Sequence, residues 1–155
     1  MKTFVDTAGR TWVLAINVDA IKRVKGLTQV NLLEALEGTL IEKLSADPIL
    51  LCDVLFALVK PEADSKAISD TDFGKALAGD AIELATTALL EELVDFFPEA
   101  RRRVLQKALS KLKAWQNKAL SVAEKHLDSP ALEAELEAQL NALNVSSGNS
   151  PGVSA

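Results

Sequence analysis

The chain has 155 residues, of which 48% are hydrophobic and 25% are charged, and these proportions are typical of a single globular domain. Its net charge of −5 argues against general binding to nucleic acid. The single cysteine excludes an internal disulfide, and no stretch forms a signal-peptide core or approaches the about 18 apolar residues of a membrane span.

Two short β-prone segments at the start of the chain predict a hairpin. Residues 2–6 and 11–16 flank a turn in which Gly9 can adopt the positive φ that a tight loop needs. An isolated hairpin is marginal in water, so we expect it to pack against helices.

Capping residues and apolar spacing predict helices for most of the remaining chain. Asn17 and Asn31 are suitable N-caps for two helices, with Gly26 closing the first. Asp47 followed by Pro48 predicts the start of a third helix, which is apolar nearly all round and therefore central to the core.

The segment after the central helix reads as a surface loop over residues 60–68. Ser69 predicts the N-cap of a short helix, and Gly79 with Asp80 predicts the start of a longer one that ends at Phe96. The predicted fold class is therefore mainly α: a small N-terminal β-hairpin packed on a multi-helix bundle, followed by a long C-terminal helix pair.

The first helix of this pair, residues 99–127, is basic in an acidic chain, with eight lysines and arginines against two carboxylates. An apolar stripe with alternating steps of three and four residues predicts packing against another helix. Three roles remain open for its charge: pairing with the acidic segments around it, binding an acidic or amphipathic protein, and contacting nucleic acid. The stripe consists of Leu105, Ala108, Leu112, Trp115, Ala119 and Val122.

The second helix of the pair starts at Ser129 and Pro130 and is predicted to end near Leu143. Its leucines either close the stripe of the basic helix in an antiparallel hairpin or remain open to a partner. The predicted organisation is a core over residues 1–98, a basic and an acidic helix over residues 99–143 in the same domain or as a flexible arm, and a disordered tail over residues 144–155.

The sequence contains no pattern typical of a catalytic or metal-binding site. Cys52 lies in the most apolar helix and reads as a core residue, and His126 has no second histidine or thiol nearby. The carboxylates Glu91, Glu92 and Asp95 lack the Glu-x-x-His pairs of di-iron bundles. We therefore predict a non-enzymatic protein with no catalytic residue, no cofactor and no metal.

Several segments within residues 3–98 together form a recognisable pattern. They are Phe4-Val5-Asp6 with Gly9-Arg10-Thr11-Trp12, residues 16–24 (INVDAIKRV), residues 27–33 (LTQVNLL), residues 47–51 (DPILL), and Phe73-Gly74 with Ala88-Leu89-Leu90 and Phe96-Phe97-Pro98. This pattern resembles that of the tail assembly chaperones of long-tailed bacteriophages and prophages. The basic helix and the residues after it lie outside the resemblance.

The resemblance implies a small helical chaperone in the host cytoplasm that binds the tape measure protein, keeps it soluble and helps tail tube protein assemble around it. The alternative is a structural tail or neck protein retained in the virion. A homo-oligomer is left open, and neither a membrane nor nucleic acid is expected as a partner. The candidate partner-binding residues are Leu105, Leu109, Leu112, Trp115, Val122, Leu132, Leu136 and Leu140.

Overall fold

A computed structural model describes residues 1–148 and confirms the mainly α fold, with a two-stranded antiparallel sheet packed on helices. The strands and helices are β1 (Lys2–Val5), β2 (Thr11–Leu14), α1 (Val18–Thr28), a 3-10 helix (Leu32–Leu36), α2 (Leu40–Ala46), α3 (Pro48–Ser65), α4 (Asp70–Lys75), α5 (Asp80–Phe96), α6 (Glu99–Leu127) and α7 (Pro130–Gly148).

The chain divides into two compact units, Met1–Leu109 and Ser110–Ala155. The boundary falls within α6, eleven residues beyond the end of the core predicted from the sequence. The first unit contains the buried apolar residues of the described chain, the last two being Leu105 and Leu109 on α6.

The hairpin forms as predicted, with Phe4 opposite Trp12 and Gly9 in the turn at a φ of 78°. Trp12 is completely buried and meets Phe73 of α4 edge-to-face, with ring centroids 5.2 Å apart. The hairpin packs mainly through β1 on α5 and through β2 on α3, which supplies the cover that a lone hairpin lacks.

The helix N-caps predicted from Asn17, Asn31, Asp47 and Ser69 are present. Each side chain accepts a hydrogen bond from a backbone N–H in the first turn of its helix. Gly26, by contrast, does not close α1: the helix continues to Thr28, and Gln29 takes the left-handed conformation that ends it.

Helix α3 is the central helix, as predicted, and packs against α1, α2, α4, α5 and β2. The predicted loop over residues 60–68 is wrong, because α3 continues through Pro61 to Ser65. Proline has no N–H for the carbonyl four residues earlier, that of Ala57. Arg23 of α1 donates from Nε to that oxygen at 2.7 Å and from a terminal nitrogen to Leu58 O at 2.9 Å.

Helix α7 continues five residues beyond the predicted end at Leu143. Asn144 and the serines after it are weak helix formers, but each residue added to an existing helix costs only tenths of a kcal/mol, about 0.5 in propensity. The rest of the predicted disordered tail, residues 149–155, lies outside the described residues.

Candidate protein-binding surface

Cys52 is half-buried on α3, and a Cβ placed on Gly74 would lie 3.7 Å from its sulfur. Burial, with smaller contributions from the charges of Asp53 and Asp70, raises the pKa of the thiol. A thiol with a raised pKa is a poor nucleophile, because the thiolate is the reactive form. The sulfur therefore acts as a packing group between α3 and α4.

The acidic face of α5 contacts the start of the hairpin. Lys2 Nζ lies 3.7 Å from Glu91 and 4.0 Å from Asp95, and the amino group of Met1 lies 3.4 Å from Oε2 of Glu92. Glu92 is buried, and its Oε1 accepts a hydrogen bond from the backbone N–H of Ile16 at 3.3 Å. These carboxylates fix β1 and the segment between β2 and α1 to α5.

Asp6 is the most extensively hydrogen-bonded side chain in the hairpin. One carboxylate oxygen accepts from the backbone N–H groups of Ala8 and Arg10, and the other accepts from Arg10 Nε at 2.8 Å and Trp12 Nε1 at 2.9 Å. Burial alone would raise its pKa, but the hydrogen bonds from Trp12 and Arg10 and the charge of Arg10 outweigh it and lower the pKa. The side chain of Asp6 therefore stabilises the turn and does not form part of a ligand site.

The described residues include no group of three or more His, Cys, Asp or Glu side chains placed to hold a metal ion. None of the helices within residues 1–148 is long and apolar enough to cross a membrane. The remaining feature that stands out chemically is the apolar surface of the second unit.

The candidate partner-binding residues fall into two groups. Leu105 and Leu109 are buried in the first unit. The six others lie in the second unit, where Leu112 and Leu132 are half-buried and four are exposed. The exposed residues are Trp115 at 70%, Val122 at 58%, Leu136 at 50% and Leu140 at 60%.

The stripe of α6 changes its surroundings along the helix. In the first unit its buried residues are Leu105 and Leu109, and the predicted stripe member Ala108 is exposed. In the second unit Trp115, Ala119 and Val122 line a shallow groove of about 500 Å³ along one face of α6, together with Lys118, Ala123 and His126. The alternation of three- and four-residue steps predicted which residues share this face. It could not show at which residue the face changes from buried to exposed.

Three further exposed leucines enlarge this surface: Leu120 at 69%, Leu127 at 66% and Leu143 at 66%. Leu120 and Leu127 are seven residues apart, so a heptad count of α6 would have found a second apolar row beside the first. Helices α6 and α7 do not pack along their lengths within residues 110–148. Over these residues the structure therefore does not form the antiparallel helical hairpin that was one of the two predicted alternatives.

No family model, curated protein or solved structure matches this chain.

Proposed function

We propose that the protein is a tail assembly chaperone of a long-tailed phage or prophage, and that its second unit binds the tape measure protein in the host cytoplasm. One observation carries the proposal: the exposed apolar face that runs from Trp115 to Ala123 on α6, with further exposed leucines, Leu136, Leu140 and Leu143, on α7. Contiguous exposed apolar surface on a small protein marks an interaction site.

A helical client suits this surface. The groove along α6 is open and follows one helix face, and amphipathic helices bind such faces through apolar residues spaced three and four apart. A tape measure protein is, by the family resemblance, a long helical protein that aggregates without cover. Binding of its apolar face would keep it soluble, and this role requires no catalysis.

Co-expression with a phage tape measure protein tests the proposal. We expect wild-type protein to raise the soluble fraction of the tape measure protein, and Trp115→Glu with Val122→Glu to remove most of that gain. Both side chains are exposed, so the double variant should fold normally.

The matched control introduces the same charge at exposed apolar positions of the first unit, Val18→Glu and Ile49→Glu, which are 60% and 76% exposed. This control should retain the solubilising effect. Equal loss in both double variants, or no loss in either, would contradict the assignment of the client surface to the second unit.

A further inference from the structure

We propose that, before a client is bound, two copies of this chain pair reciprocally through their second units, with α6 of each copy lying against α7 of the other. The pairing is argued from the charges and apolar faces of the two helices. Its role as a storage form that the client displaces depends on the proposed function, whereas the pairing itself does not.

The exposed part of α6 has the features of one half of a helix pair. Over residues 110–127 it carries four lysines and one glutamate. Lys111, Lys118 and Lys125 are exposed and repeat every seven residues, so they form a column beside the apolar face. The groove on that face contains Trp115 and Val122.

Helix α7 has the complementary features. It carries three glutamates and no lysine or arginine, and Glu133, Glu135 and Glu137 are all exposed. Leu132, Leu136, Leu140 and Leu143 share one face, because residues four and eleven apart lie close together around a helix. At 19 residues α7 matches the 18 residues of α6 within the second unit, so both present about 27 Å of helix.

The two faces do not cover each other within one chain. Only Asp128 and Ser129 separate α6 from α7, and apart from the half-buried Leu112 and Leu132 the apolar residues of both helices are exposed over residues 110–145. A second copy brings an acidic leucine face to each basic groove and a basic groove to each acidic leucine face. Twofold symmetry then satisfies both contacts at once, as closed homodimers require.

Charge does not favour pairing of like helices. Two α6 helices side by side in antiparallel order would place the Lys111, Lys118 and Lys125 column against its own copy, and in parallel order would leave it opposite Gln116 and Ala123. Two α7 helices would bring glutamates together. Opposite charges beside an apolar seam set partner choice, which favours α6 with α7.

Charge reversal tested by sedimentation gives a decisive experiment on the full chain. The first variant is Lys111→Glu, Lys118→Glu and Lys125→Glu, and the second is Glu133→Lys, Glu135→Lys and Glu137→Lys. We expect wild type to sediment at twice its 16.6 kDa chain mass at low salt, and each triple variant alone to sediment as a monomer, because its α6 and α7 then carry the same charge.

Mixing the two variants should restore the doubled mass, because α6 of each then meets an oppositely charged α7 of the other. A monomeric wild type, or a mixture that stays monomeric, would overturn the proposal. If the variant with Glu133→Lys, Glu135→Lys and Glu137→Lys dimerises like wild type, the proposal is also overturned. Such a dimer would form without the acidic face of α7, for example through α6 alone.

The two proposals fail separately. A dimer that dissociates when a tape measure fragment is added supports both the pairing and its role in storage. A dimer that takes no client leaves the pairing in place and rejects the proposed function, whereas a monomer that binds the client rejects the pairing only.

Discussion

At the scale of single residues, the hairpin depends on one buried carboxylate. Asp6 accepts four hydrogen bonds, from two backbone N–H groups and from the side chains of Arg10 and Trp12. The sequence pattern assigned Asp6 to the end of the first predicted strand. An aspartate just before a glycine-containing turn is also a known turn signal, and this is the role that Asp6 has in the structure. What the sequence could not show is the fold of the turn that brings Trp12 Nε1 back to the same carboxylate.

We expect Asp6→Asn to lower the free energy of unfolding by about 2 kcal/mol at pH 7. Asparagine keeps only one acceptor oxygen, so its NH2 group faces N–H donors in either orientation: Arg10 Nε with Trp12 Nε1, or the backbone N–H groups of Ala8 and Arg10. Chemical denaturation measures the loss. Asp64→Asn is the control, because Asp64 forms an exposed pair with Lys60 and its loss should cost less than about 1 kcal/mol.

The same substitution has a pH dependence of defined sign. The pKa of Asp6 is lowered in the folded protein, so its contribution is complete above the unfolded-state pKa of about 3.9 and is lost as the pH falls through the folded value. The gap in unfolding free energy between wild type and Asp6→Asn should therefore shrink below about pH 4. A gap of equal size at pH 7 and about pH 2.5 would show that the charge of Asp6 is not responsible.

At the scale of secondary-structure elements, most helices could be predicted from their caps, but the extent of α3 could not. Local rules read Lys60-Pro61 as the start of a loop, because a proline inside a helix leaves a carbonyl without its N–H donor. The donor comes from Arg23, 34 residues earlier in the chain. A contact of that separation has no local signature.

We expect Arg23→Ala to cost about 2 kcal/mol of unfolding free energy, since it leaves the Ala57 carbonyl unpaired. The cost should fall by at least about 0.5 kcal/mol in a Pro61→Ala background, where the new N–H can donate to Ala57. Denaturation of the four proteins in this cycle measures the coupling. Asp19→Ala serves as the control for the exposed ion pair with Arg23, and strictly additive effects would contradict the account.

At the scale of the whole molecule, the structure separates a packed unit from one whose apolar faces are open. The sequence indicated the helices of the second unit and their stripes, because periodicity reports which residues share a face. The sequence could not show whether the stripe is buried within the fold, because the same apolar spacing is found in helices that pack inside a protein and in helices that bind a partner. The burial of Leu109 beside the 70% exposure of Trp115 makes that distinction.

Hydrogen exchange on the purified complex with a tape measure fragment tests the central claim most directly, namely that the open faces of α6 and α7 bind a helical client. The measurement compares the chain at saturating client with the free chain at a concentration where it is monomeric, so that pairing between copies does not already protect the same faces. We predict that backbone amides of residues 110–143 gain protection on binding, while those of α3 exchange at unchanged rates. Protection confined to residues 1–109, with residues 110–143 unchanged, would contradict it.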